Sequence, residues 1–277
     1  ASEIHSVDWS SDVCSSDLFL ASLACGISGT FVIIKRISFI SGGIAHTALG
    51  GIGLAYYLGY KPIIGAFVFA VLAAIILGIV KLKAQQHEDI IIGALWAVGM
   101  AIGVVFMSLT PGYNADLLTY LFGNILMVSS ENLLVLTILD ILIICTVFLF
   151  YRQFIAISFD QTHSEITGLP VSFFYILLLI IIALTVVILI QIVGLILVIA
   201  LLTLPASISA LFSKSPSGIM FSASGLGFIF TFTGLYVSYE PDLPSGAMII
   251  IISGIAYLLA ILIKQLLKKR KQLQKDD

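Results

Sequence analysis

Residues 171–191 read VSFFYILLLIIIALTVVILIQ, a stretch without a single charged side chain. A helix of about 20 apolar residues spans the roughly 30 Å hydrocarbon core of a bilayer. Working outward in both directions, apolar runs of similar length recur near 19–34, 42–59, 62–80, 90–109, 131–150, 193–207, 217–237 and 246–263. Of the 277 residues 60% are hydrophobic and 10% charged, and the mean hydropathy is +1.17. Soluble domains carry roughly a quarter charged residues, so 13 Lys+Arg and 15 Asp+Glu cannot coat a water-facing surface of this size. A cytosolic enzyme, a nucleic-acid binder and a disordered chain are excluded. Outer-membrane barrel strands alternate over roughly ten residues, whereas these runs are about twice as long. The fold class is therefore all-α: a polytopic transmembrane helical bundle of about eight or nine spans.

Basic residues set the orientation, because short loops rich in Lys and Arg stay in the cytoplasm. Lys35 with Arg36, Lys81 with Lys83, Arg152, Lys214 and the cluster Lys264, Lys268, Lys269, Arg270, Lys271 mark alternate loops. Only Lys61 falls on the outer side. The C-terminus is predicted inside, with 110–130 and 238–245 outside. Residues 111–130, PGYNADLLTYLFGNILMVSS, are half polar and suit a re-entrant or interfacial helix rather than a span.

Residues 1–18, ASEIHSVDWSSDVCSSDL, have no apolar period and no basic region of a signal peptide. They read as a disordered leader foreign to the rest, with residues 19–265 forming the transmembrane domain and 266–277 a basic cytoplasmic tail that contacts anionic lipid. Setting aside Glu3, Asp8, Asp12 and Asp17 leaves 13 basic residues against 11 acidic, so the formal charge of −2 becomes +2.

The chain contains no G-x-x-x-x-G-K-[ST] loop, H-E-x-x-H, G-x-S-x-G or C-x-x-C. It is read as a non-enzyme that binds no permanent cofactor, and any ATP hydrolysis belongs to a separate subunit. In residues 41–59, SGGIAHTALGGIGLAYYLG, Gly43, Thr47, Gly51 and Ala55 recur every fourth position and make a flat face for close helix packing. His46, Gly50 and Gly53 form an adjacent stripe. Small residues around an imidazole leave open volume, which suits a transient cation site; an imidazole that simply bonds a neighbouring helix fits the composition equally well. Ionisable groups inside spans are functional by default, which also marks Asp140, although a neutral carboxyl bonded to a backbone carbonyl explains it too. Asp116 and Glu131 flank the outer segment and could receive a cation, while solvated loop acids are the commoner explanation. Met100, Met107, Cys25 and Cys145 read as packing residues.

Residues 193–217, VGLILVIALLTLPASISALFSKSPS, carry Pro205, which suits the first turn of a new helix. A short exposed amphipathic helix over Ala206–Phe212, ended by Ser213, Lys214, Ser215 and Pro216, would make a docking peg for a soluble partner; an ordinary loop is the alternative.

Four blocks resemble the family of ABC transporter permeases that import divalent metal ions: GTFVIIKRISFISGGIAHTALGGIGLA, EDIIIGALWAVGMAIGVVFMS, ADLLTYLFGNILMVSSENL, and the pair VGLILVIALLTLPASISALFSK and YEPDLPSGAMII. The resemblance covers Phe19 to about Gln265 and implies a type II ABC importer permease. Its implied partners are two ATPase subunits, an extracellular metal-binding solute-binding protein, and a second permease copy or close paralogue in a bacterial or archaeal plasma membrane. It implies His46 as a metal-contacting residue, and Leu204, Pro205, Ala206, Ser207, Ser209, Lys214 and Pro216 as the ATPase-docking and coupling region. Many members carry an Asp four residues before this His; here that position is Gly42. Imidazole suits zinc, iron and manganese, and the missing carboxylate tilts the expectation toward zinc. Competing readings are a cobalamin or siderophore permease, a membrane scaffold, and an ion-coupled secondary carrier, which should show inverted repeats with broken helices.

Overall fold

A computed structural model describes residues 11–83, 88–110, 130–239 and 244–276. All its described regular elements are helices: α1 (Ser11–Lys35), α2 (Ser38–Tyr57), α3 (Pro62–Lys83), α4 (Glu88–Leu109), α5 (Ser130–Leu149), α6 (Tyr151–Phe159), α7 (Gln161–Ile166), α8 (Val171–Phe212), α9 (Pro216–Tyr239) and α10 (Ser245–Asp276). Among the described residues eight stretches are long and apolar enough to cross a membrane, or nine if α5 and α6, bent by 69° at Phe150, form one broken span. The bundle of eight or nine spans read from the sequence is what the chain forms.

Turn chemistry sets the helix ends. After α2, Gly59 adopts φ +75° and the amides of Gly59 and Tyr60 donate to the carbonyls of Tyr56 and Ala55, a Schellman closure. Lys61 and Pro62 then start α3, whose first position suits proline. The α1–α2 turn uses the same closure, with Ile37 N–H donating to Val32 O, but places Arg36 at φ +58°. A left-handed residue other than glycine costs about 1–2 kcal/mol, offset here by the packing of two buried spans. Ser215 Oγ accepts from Gly218 N–H and caps α9, and Asp160 Oδ1 accepts from His163 N–H and caps α7.

The first half of α8 is the centre of the molecule. Residues Leu178–Ile190 are almost all buried, and α8 packs against α1, α2, α3, α9 and α10. Hence the absence of any polar stripe in its sequence: it is apolar on every side because protein surrounds it. Exposed apolar side chains come instead from helices such as α3, α4 and α10, where Ile64, Phe67, Leu72, Val98, Val105, Leu258 and Leu262 are exposed. Ser28 on α1 and Thr185 on α8 share a hydroxyl–hydroxyl hydrogen bond of 2.6 Å within this core.

Four expectations change. First, α1 begins at Ser11 rather than Phe19, so 11–18 is helical and Leu18 is buried; residues 1–10 lie outside the described residues. Second, the last helix does not end near residue 263, since α10 runs unbroken to Asp276 and takes in the basic tail. At 1.5 Å per residue its 32 residues reach about 48 Å, beyond one bilayer core. Third, residues around Arg152 are not a plain loop but α6 and α7. Fourth, Pro205 does not begin a new helix. It lies inside α8, and the break falls at Gly194, whose φ +76° and ψ 167° are essentially restricted to glycine. Ala206–Phe212 therefore continues the preceding span.

Candidate metal path and coupling turn

The α2 helix runs between α3 and α4 on two glycine seams. Gly51 meets Gly65 of α3 backbone to backbone, and Gly50 and Gly53 meet Gly99 and Gly103 of α4 in the same way. Gly43 lies against Ile92 and Leu77, and Thr47 Oγ1 donates to its own Gly43 O at 2.7 Å with Leu95 O of α4 at 3.2 Å. The four-residue stripe read from the sequence is thus shared between two partners, while the His46–Gly50–Gly53 stripe belongs to α4.

On that stripe His46 is half-buried, and its Nδ1 is buried with no hydrogen-bond partner. The open volume expected beside the imidazole is not there. Trp96 of α4 lies over it, ring centroids 4.1 Å apart and planes 17° from parallel. A Cβ built on Gly42 would stand 2.9 Å from Trp96 Cζ3 and 3.5 Å from Ile199 Cδ1 of α8. The indole fills the space that a side chain at position 42 would need. No local pattern announces this, because the partners lie on different helices and meet only through the glycine-set register of α2 against α4. A cavity of about 410 Å³ lined by Phe39, Asp89, Ile92, Gly93 and Trp96 borders the indole.

Asp140 is fully buried on α5, both carboxyl oxygens without a hydrogen-bond partner, and within electrostatic reach of Cys25 on α1. Its helix packs on α1 and α8, whereas that of His46 packs on α3, α4 and α8. Among the described residues no three His, Cys, Asp or Glu side chains converge on a possible metal position. Asp116 lies outside the described residues, and nothing is described of the Glu131 side chain. Met107 is buried and Met100 packs against the core. Near the α1–α2 turn a cavity of about 380 Å³ collects Lys35, Arg36, Lys81 and Asp160, with Lys35 Nζ 4.9 Å above the Tyr175 ring.

The exposed docking peg also needs revision. Pro205, Ala206, Ile208 and Ser209 are buried, Leu204 and Ser207 partly so, and Ala206 faces Gly29 of α1. What protrudes is the turn after α8, with Phe212, Lys214 and Ser215 exposed and Pro216 opening α9. Facing residues at the end of a span bury their apolar side in the bundle, so only the turn is left outside.

A bundle of apolar helices long enough to span a bilayer, with an imidazole held within one of them, is that of a polytopic membrane protein. The family model described as "ABC 3 transport family" matches residues 15–264, and the chain belongs to that family. An uncharacterized membrane protein of Synechocystis sp. is 50% identical over 242 residues, covering 87% of this chain and 86% of its own length. The manganese transport system membrane protein MntC of Listeria monocytogenes is 34% identical over 240 residues, covering 87% and 85%. Among solved structures, PsaBC from Streptococcus pneumoniae in complex with Fab superposes with a TM-score of 0.84 at 28% identity, covering 94% of each chain.

Proposed function

We propose that this chain is the membrane-spanning subunit of an ATP-driven importer of divalent metal ions, working as a pair of permease copies with two ATPase subunits inside and a metal-binding solute-binding protein outside. The observation that carries it is the half-buried His46 with its unpartnered Nδ1, in a span where it is the sole ionisable side chain other than the tyrosines Tyr56 and Tyr57 at its end. An ionisable group held at membrane depth without a hydrogen-bond partner is costly, and by default it marks a functional site. A lone imidazole suits transit rather than storage: one nitrogen donor holds a partly hydrated cation briefly, where three or four ligands would retain it. Family membership and the name of the Listeria relative support the transport class.

Zinc is the first substrate, since imidazole is a good zinc ligand and manganese is better served by carboxylate, carbonyl and water oxygens. Manganese is the second reading, favoured by the relative's name. Lys214, Ser215 and Phe212 would meet the ATPase, while buried Pro205 and Ser209 stiffen the helix that carries its movement inward. Asp140 and Asp116 are kept as secondary candidates for cation contact. The test is cellular metal content at limiting supply: His46→Ala should lower zinc accumulation at least about tenfold, and wild-type accumulation would remove His46 from the path.

A further inference from the structure

We propose that Trp96 is the positioning residue of the His46 site: its indole takes the place of a side chain at position 42, fixes the plane of the imidazole, and offers a π face to the imidazole when it carries a cation. The inference rests on the reading of His46 as a residue of the metal path. Three observations converge on it. The two rings are stacked at 4.1 Å and 17°. The indole edge lies where the Cβ of any residue at position 42 other than glycine would intrude, at 2.9 Å. The imidazole has no hydrogen bond through Nδ1 to set its rotation.

A histidine is ordinarily oriented by a hydrogen bond to one ring nitrogen, which fixes the direction of the other lone pair. Here stacking performs that task. The indole covers one face of the half-buried ring and Nδ1 is buried, which leaves Nε2 as the nitrogen that a cation would meet. A metal-bound imidazole is electron-poor, and the negative face of an aromatic ring attracts it, more strongly once water is excluded. The attraction comes without a formal counter-charge, so the cation is guided past rather than trapped. Position 42 must then be glycine for Trp96 to stay in place, and the two residues act as one unit.

The experiment measures zinc uptake kinetics in cells carrying the full transporter, with Gly42→Ala, Trp96→Leu, Trp96→Phe and the double variant Gly42→Ala/Trp96→Phe, expression being checked for each. Trp96→Leu should raise KM for zinc about fivefold to tenfold while changing the maximal rate less than twofold. Gly42→Ala should do the same by pushing the indole aside. Trp96→Phe should lie within about twofold of wild type, and adding Gly42→Ala to the Trp96→Phe variant should cost less than adding it to wild type, because the smaller ring leaves room. In a Trp9→Phe background Trp96 is the sole tryptophan, and its emission in the purified chain should respond to zinc alone and cease to respond in His46→Ala. Unchanged KM in both Trp96→Leu and Gly42→Ala, with uptake still lost in His46→Ala, overturns the Trp96 role and leaves the metal path standing. Wild-type uptake in His46→Ala overturns the path, and the Trp96 role with it. A zinc response of Trp96 that persists in His46→Ala also overturns the coupling of the two rings.

Discussion

Gly51 and Gly65 touch through their backbones, and a methyl on either would have to occupy the other's carbonyl oxygen. Overpacking of this kind costs about 1–3 kcal/mol where a side chain can yield, and backbone yields less readily. Gly51→Ala should therefore lower the melting temperature of the purified protein, whereas Gly225→Ala in α9, where a Cβ meets nothing within 4 Å, should leave it unchanged or raise it. Equal effects at the two positions would deny the seam. At this scale the sequence was informative wherever one residue type is abnormal for its surroundings. A histidine or an aspartate among twenty apolar residues stands out, so His46 and Asp140 are legible by themselves. Trp96 is ordinary for a membrane helix, and its role exists only through the long-range register that brings it to Gly42.

Among the elements, α8 shows how local rules compete. Proline at 205 reads as a helix start because it lacks an N–H, yet tertiary packing holds it within a continuous helix, and the chain breaks at Gly194 instead. Glycine alone tolerates φ +76° with ψ 167° there, so Gly194→Ala should destabilise the fold by about 1–3 kcal/mol, measurable as a fall in midpoint of thermal unfolding in detergent. Pro205→Ala should restore a backbone hydrogen bond and leave the protein folded, but separate ATP hydrolysis from metal uptake. Unaltered uptake with Pro205→Ala, Ser209→Leu and Lys214→Glu would exclude this stretch from coupling. Element lengths were readable from apolar runs because a bilayer imposes a minimum span. Element ends were less readable: the helical extension back to Ser11 and onward to Asp276 lies in polar sequence, where hydropathy gives no signal.

For the whole molecule, hydropathy gives the helical class and the number of spans, while the arrangement of spans around α8 depends on contacts no periodicity encodes. The basic loops predict a cytoplasmic C-terminus, so a tag after Asp277 should be cut by protease in inside-out vesicles and protected in right-side-out cells; the reverse pattern would invert the bundle. The chain has no nucleotide loop of its own, and the proposed function assigns ATP hydrolysis to another subunit. The most direct measurement is zinc accumulation in proteoliposomes holding this chain with its ATPase subunit and binding protein. ATP-dependent zinc uptake that vanishes without the ATPase, and that is greatly reduced in His46→Ala, is the predicted result. Uptake driven by an ion gradient with no ATPase present would contradict the account.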